Sequence, residues 1–234
     1  MTAAVDARYR AEATDPHTIG VAEAADMLES APWRRFAILG DSLAEGVGAP
    51  TPGYRDISWA DRVVAALHLA RPDLTHLNTG RRAARTIEVL DRQLPHALEF
   101  RPELAAVVCG ANDMIAEDFS GRVLHGQLSR LVGTLREAGS DVFTYTLQDI
   151  ATAFPSTPPA LRDGIDLLNN IVRDVAAAEG AAVVEMWGHP AQDQPDTYSP
   201  DLMHASRRGH AIVAAATVRV LHDMIAARER HGLP

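Results

Sequence analysis

Apolar residues along the chain fall into two alternating patterns. A short apolar run closed by Gly predicts a buried strand over 35–40, and further short strands are predicted over 74–78, 104–109, 141–147 and 181–186. Between them apolar residues recur at helical spacing: Trp59, Val63, Ala66, Leu67 and Ala70 share one face of a helix over 58–70. Further helices are predicted over 85–98, 121–138, 161–179 and 207–230. Ahead of the first strand, Asp15-Pro16 has the form of a helix start, with Asp as N-cap and Pro in the first turn, and that helix should end near Ala31-Pro32. Residues 1–14 are Ala-rich, charged and unpatterned, so they are expected to be loose. Strands alternating with helices predict a parallel sheet covered by helices on both faces. No fixed-period repeat is visible. In such sheets functional groups gather at the C-terminal ends of the strands. The informative loops are therefore those after Leu39, Leu77, Cys109, Leu147 and Met186.

The length of 234 residues suits one domain, with residues 1–33 as an N-terminal extension. Hydrophobic residues make up 47% and charged residues 23%, which excludes a disordered or fibrous chain. No run of ~18 uncharged apolar residues occurs, so no membrane span is expected. The net charge is −9, from 22 basic and 31 acidic residues, and argues against a nucleic-acid partner. Every basic residue is Arg, which removes lysine Schiff-base and P-loop chemistry. One cysteine, Cys109, allows neither an internal disulfide nor a multi-cysteine metal site. The first twenty residues lack the basic start and apolar run of a secretory signal, so a cytoplasmic location is expected.

Three loops carry candidate chemistry. After the first strand, Gly40-Asp41-Ser42-Leu43 presents a serine at the sheet edge, although Ser is also a common turn and N-cap residue. After the third strand, Gly110-Ala111-Asn112-Asp113 offers a neutral side-chain N–H donor suited to a developing oxyanion, or a turn-forming Asn. Near the end, Asp201-Leu202-Met203-His204 places a carboxylate and an imidazole at i and i+3, within reach on a helical turn. A carboxylate that holds His through Nδ1–H leaves Nε2 free to act as a base. Asp73-Leu74-Thr75-His76 has the same spacing but lies at the start of the second strand, the wrong end of the sheet for a site.

These blocks, in this order, resemble the SGNH hydrolases, the GDSL family of esterases and lipases. Gly40-Asp41-Ser42-Leu43 matches the first block, Gly110-Ala111-Asn112-Asp113 the third (G-x-N-D) and Asp201-Leu202-Met203-His204 the fifth (D-x-x-H). Trp59-Ala60-Asp61-Arg62 and Gly209-His210 also resemble actinobacterial members. The likeness spans about residues 34–225 and makes 34–234 the expected hydrolase domain. It implies a three-layer α/β/α sandwich with a flavodoxin-like five-stranded parallel sheet in order 2-1-3-4-5. It also implies Ser42 as nucleophile, His204 as base and then acid, and Asp201 as the orienting carboxylate. The implied oxyanion donors are the Ser42 N–H, the Asn112 side chain and a backbone N–H from the second block. The family runs Asn and then Gly about five residues on, whereas Asn78-Thr79-Gly80-Arg81-Arg82-Ala83 has Ala83 there. Ala83 is the expected donor and Gly80 the alternative, and a positive φ at Ala83 would cost about 1–2 kcal/mol.

The implied function is cleavage of a small-molecule carboxylic ester, an acyl ester or O-acetyl group, through an acyl-enzyme, with no cofactor and no metal. Two alternatives stand beside it: an acyltransferase or thioesterase using the same triad, and a non-catalytic binding protein on the same scaffold. Oligomeric state is not encoded in these motifs. Outside them, Cys109 reads as a buried apolar residue, His189 as a solvated loop residue, and Trp59 and Trp187 as core or pocket wall. Arg81, Arg82 and Arg85 read as a solvated loop and helix start, with an anionic-substrate clamp as the alternative.

Overall fold

The computed structural model describes residues 7–230. The chain divides into two compact units, one of residues 33–45 and 73–193, the other of residues 1–32, 46–72 and 194–234.

The first of these units holds the sheet. Its strands are β1 (Arg35–Gly40), β2 (Thr75–Asn78), β3 (Leu104–Val108), β4 (Asp141–Tyr145) and β5 (Ala182–Val184). All neighbours are parallel, in the order β2-β1-β3-β4-β5, the α/β flavodoxin-like arrangement that the family resemblance implies. Phe36, Ile38, Ala37 and Leu39 point alternately to the two faces of β1, and all four are buried. That is why β1 reads as one apolar run instead of an alternation. Ala37, Leu39, Ala105, Val107 and Val142 share a core with Leu124, Leu128, Leu131 and Leu135 of helix Gly121–Glu137. Leu168, Ile171, Val172 and Val175 of helix Pro159–Glu179 complete it.

Gly40, at the end of β1, has φ 148°, and a Cβ there would lie 1.9 Å from the Val108 carbonyl oxygen. Only glycine lets β1 and β3 stay paired up to the residue that opens the first block.

The helix expected over 85–98 is interrupted. It runs as Thr86–Glu88, a π turn at Val89–Gln93, and Leu94–Phe100. Pro95 is the physical cause: it has no N–H for the carbonyl four residues back, and its ring crowds that carbonyl. The Leu94 N–H reaches the Val89 carbonyl instead, five residues back.

In the other unit, helices Val21–Met27, Trp59–Ala70 and Arg207–Arg230 pack on one another. Two expectations for the N-terminal segment are corrected here, and residues 1–6 of it lie outside the described residues. Residues 7–14 are not loose: they form a 3-10 turn and the short helix Arg10–Thr14, anchored by buried Glu12. Glu12 pairs with Arg62 at 2.6 Å and with Arg55 at 2.5 Å. Asp15 does not cap a helix. Its carboxylate accepts the His17 N–H, the Tyr54 hydroxyl at 2.6 Å and Arg208 at 2.8 Å, and the helix begins at Val21 after Gly20. Ion pairing outcompetes the capping signal, because a buried carboxylate needs charged partners. Helix Arg207–Arg230 is long and apolar enough to cross a membrane by length and composition, and about half of its apolar stretch is buried.

His210, on that helix, is wholly buried. Its Nδ1 accepts the Trp59 N–H at 3.2 Å and its Nε2–H faces the Val47 carbonyl at 3.0 Å, so the neutral ring satisfies both. Burial lowers its pKa to about 4 from 6.5; the bond to Val47 opposes the shift and the nearby Arg207 and Arg62 add to it. A base whose folded pKa lies below its unfolded value binds fewer protons when folded. Its contribution is therefore complete above pH 6.5 and lost as the pH falls towards 4, about 3 kcal/mol at most. Unfolding free energy measured across this range should fall steeply for the native chain and much less for His210→Gln. A separate loss at lower pH should persist in both. Burial opposes ionisation of Glu12, but its Arg62 and Arg55 bonds prevail and bring its pKa down to about 2 from 4.5. Equal pH slopes for the two proteins between 6.5 and 4 would remove His210 as the cause.

Candidate active site

The order β2-β1-β3 sets the loops after these three strands side by side at the C-terminal edge of the sheet. Those loops carry the second, first and third blocks, next to the β1/β3 position where the strand order reverses.

In the first block the Asp41 N–H bonds to the Val108 carbonyl at 2.9 Å, and its buried carboxylate accepts the Leu43 N–H at 3.0 Å. Asp41 thus closes the turn between β1 and the short helix Ser42–Glu45, and Ser42 opens that helix half-buried. The Ser42 N–H has no hydrogen-bond partner among the described residues.

In the second block nearly every donor is taken. The Gly80 N–H goes to the Asn78 side chain at 2.9 Å, the Arg81 N–H to the Gly40 carbonyl at 3.1 Å, the Arg82 N–H to the Glu45 carboxylate, and the Ala84 N–H to Arg81 at 3.1 Å. The Ala83 N–H alone in this run has no partner among the described residues. Gly80 has a different duty: a Cβ there would lie 2.4 Å from the Glu45 nitrogen, so it allows the second block to touch the first. Ala83 sits at φ 60°, the left-handed region. Its strain of about 1–2 kcal/mol is partly balanced by the lower entropy of Ala in the unfolded chain. Ala83→Gly is expected to stabilise the protein by about 0.5–1 kcal/mol. A clear drop in Tm on this change would show that Ala83 is not strained.

The third block locks onto the second. The Asn112 Nδ2 donates to the Ala84 carbonyl at 3.1 Å, which occupies one of its two hydrogens and leaves the other for an acceptor. Buried Asp113 accepts both the Thr86 N–H at 2.9 Å and the Thr86 hydroxyl at 2.8 Å. Sequence reasoning gave Asp113 no role, although its place beside Asn112 in the motif was a signal.

Asp201 and His204 belong to the other unit. His204 Nδ1 lies 2.6 Å from Asp201 Oδ2. The contact is not made on a helical turn, as the i, i+3 spacing suggested. Asp201 Oδ1 accepts the N–H groups of both Met203 and His204 at 3.0 Å, and Leu202 takes φ 55°. The carboxylate folds the loop around itself and so brings the imidazole to its second oxygen. Partial desolvation opposes ionisation of Asp201, but the His204 ring and the two N–H groups overcome it and hold its pKa at about 2. An ionised Asp201 accepts only, so Nδ1 carries the proton and Nε2 keeps its lone pair.

A family model of the GDSL-like lipase/acylhydrolases matches residues 38–212. The chain belongs to that family. It is a serine ester hydrolase and acts on a small-molecule ester. No curated protein matches it in sequence. Solved structures share the hydrolase's fold. The acetylxylan esterase Axe2 of Geobacillus stearothermophilus is 18% identical, with TM-score 0.66 over 80% of this chain and 94% of its own. LAE5, an alpha/beta hydrolase from the Lake Arreo metagenome, is 19% identical, with TM-score 0.66 over 80% and 94%. A lipase/acylhydrolase from Enterococcus faecalis is 20% identical, with TM-score 0.64 over 82% and 96%.

Asp73 pairs with Arg34 at 3.3 Å beside the start of β2, away from the C-terminal edge. Cys109 packs half-buried on the core, and burial pushes its thiol up, away from reactivity. Arg85 pairs with Asp118 at 3.0 Å and with Asp113 at 3.5 Å, whereas Arg81 and Arg82 are exposed. Trp59 is buried, and Trp187 is half-buried under the Arg162 guanidinium, 5.9 Å from its ring centre. His189 accepts the Ala191 N–H at 3.1 Å within its own loop.

Proposed function

We propose that the enzyme cleaves its ester through an acyl-enzyme on Ser42. His204 Nε2 takes the Ser42 hydroxyl proton as Oγ attacks the carbonyl carbon. The negative charge then develops on the former carbonyl oxygen. The Ser42 N–H, the Ala83 N–H and the free hydrogen of Asn112 Nδ2 stabilise that oxyanion. His204 returns the proton to the departing alcohol oxygen. Water then repeats the sequence on the acyl-enzyme and releases the acid. The observation that carries this reading is the Asp201–His204 pair at 2.6 Å, which fixes the tautomer a general base requires.

Acetyl groups on sugars are among the substrates to test, since the similarly folded Axe2 is an acetylxylan esterase. A series of nitrophenyl esters of increasing acyl length, with sugar acetates and acyl-thioesters alongside, should show turnover on oxygen esters. Added alcohols or amines should divert only a minor share of the acyl group from water. Dominant transfer to the added nucleophile, or preference for the thioesters, would exclude hydrolysis of oxygen esters as the function. On the best ester, Asn112→Ala is expected to lower kcat by ~10²–10³ with KM nearly unchanged, because this donor acts on charge that exists only in the transition state. A kcat within a few-fold of the native value would take Asn112 out of the oxyanion site.

A further inference from the structure

Gln93 is a polar residue on an apolar helix face: its neighbours on that face, Val89, Leu90, Leu94 and Ala97, are core residues, and Gln93 itself is 6% exposed. The π turn at Val89–Gln93 sets it there. Its carboxamide meets the last residue of β1 at two points. Oε1 accepts the Gly40 N–H at 2.7 Å, and Nε2 donates to the Gly40 carbonyl at 2.8 Å. Oε1 also accepts the Thr79 hydroxyl at 3.1 Å.

This contact fills a gap in the sheet. The β1–β2 register ends at Ile38↔Asn78, and the Thr79 N–H then closes on the Ile38 carbonyl at 2.9 Å. The Arg81 N–H makes the next rung, to the Gly40 carbonyl at 3.1 Å, but the Gly40 N–H finds no main-chain acceptor on that side among the described residues and goes to Gln93. The carboxamide oxygen supplies the acceptor that a strand residue would have offered, and its N–H adds a second donor to a carbonyl that Arg81 also holds. Asn is a methylene shorter, and Glu has no donor when ionised.

We infer that Gln93 is a positioning residue for the nucleophile: by taking the Gly40 N–H and adding a second bond to the Gly40 carbonyl beside that of Arg81, it fixes where the chain delivers Ser42. The inference rests on Ser42 being the nucleophile. Only Asp41 separates Gly40 from Ser42, and Asp41 is bound through its N–H and its carboxylate. A shift at Gly40 therefore passes to Ser42 with little slack. Misplacement of a reacting group by ~1 Å costs about 10²-fold in rate.

The test uses the full chain and two variants. Gln93→Met keeps the length and removes both hydrogen bonds. It is expected to lower kcat on a nitrophenyl acetate 10- to 100-fold, with KM within twofold. Modification of Ser42 by an organophosphorus probe should slow by the same factor. Gln93→Glu keeps the shape. Its ionised form sets negative charge against the Gly40 carbonyl, and burial raises its pKa. The neutral acid can donate to that carbonyl, so the deficit relative to the native enzyme should shrink as the pH falls from 8 to 6. This second variant decides the matter should Gln93→Met fail to fold. Native kcat in the variants while Ser42→Ala is inactive would overturn the role of Gln93 and leave the nucleophile standing. So would a loss that appears wholly in KM, or a Gln93→Glu deficit that is independent of pH. An active Ser42→Ala would instead overturn the nucleophile itself.

Discussion

Ser42→Ala is expected to lower kcat by about 10⁵–10⁶ on any ester the enzyme accepts, the largest effect of a single substitution in this protein. In the proposed mechanism the hydroxyl oxygen forms the new bond to the acyl carbon, and no other side chain in the first block can replace it. The fold should survive the change. The turn around Ser42 is built by the Asp41 carboxylate and by main-chain bonds, including the Glu45 N–H to the Asp41 carbonyl at 2.9 Å. Tm should therefore stay within a few degrees of native and KM should change little. A residual rate above the uncatalysed one should remain, because the oxyanion donors still hold the ester. A fall in kcat of less than tenfold would place the nucleophile elsewhere.

Asp201→Asn should lower kcat by roughly 10³–10⁴ with KM almost unchanged. The substituted amide can present an N–H to His204 Nδ1, which favours the tautomer whose proton sits on Nε2. The imidazole then lacks the lone pair that receives the Ser42 proton in the proposed mechanism. It also loses the negative charge that stabilises the imidazolium formed in the transition state. Asp201 is about half exposed, so water partly screens that charge, and the tautomer effect should carry most of the loss. Loop geometry should be nearly preserved, since the side-chain oxygen of Asn can still accept the N–H groups of Met203 and His204 that Asp201 Oδ1 now accepts. Steady-state kinetics with nitrophenyl acetate would check both parameters. A rise confined to KM would mean that Asp201 binds substrate and does not orient the base.

The sheet was readable because β1, β3 and β4 are buried on both faces and leave unbroken apolar runs such as Phe36-Ala37-Ile38-Leu39. The long helices were readable from their buried stripes, as in Leu124, Leu128, Leu131 and Leu135. Short helices escaped because a four-residue element such as Ser42–Glu45 or Ala111–Met114 shows no periodicity. Asp15 reads as an N-cap because an N-cap and a buried ion-pair partner are the same residue type. Only the fold brings Tyr54 and Arg208 to it. The blocks with candidate chemistry stood out as motifs, but the choice between Gly80 and Ala83 did not. That choice turns on which N–H is already bonded and which residue takes a positive φ, and both are set by the contact of the second block with Gly40, Ala44 and Glu45. Gln93 left one trace, a polar residue at a buried helical position, and its partner, the Gly40 peptide, lies far away in sequence.

The most direct measurement is the rate and place of modification by an organophosphorus ester in the native enzyme and in His204→Ala, with the labelled peptide identified by mass. The hydroxyl that a base activates should react once per chain, on the peptide containing Ser42, and at least 10³-fold more slowly without the imidazole. An adduct on another residue, or equal rates in the two proteins, would contradict a Ser42 nucleophile served by His204.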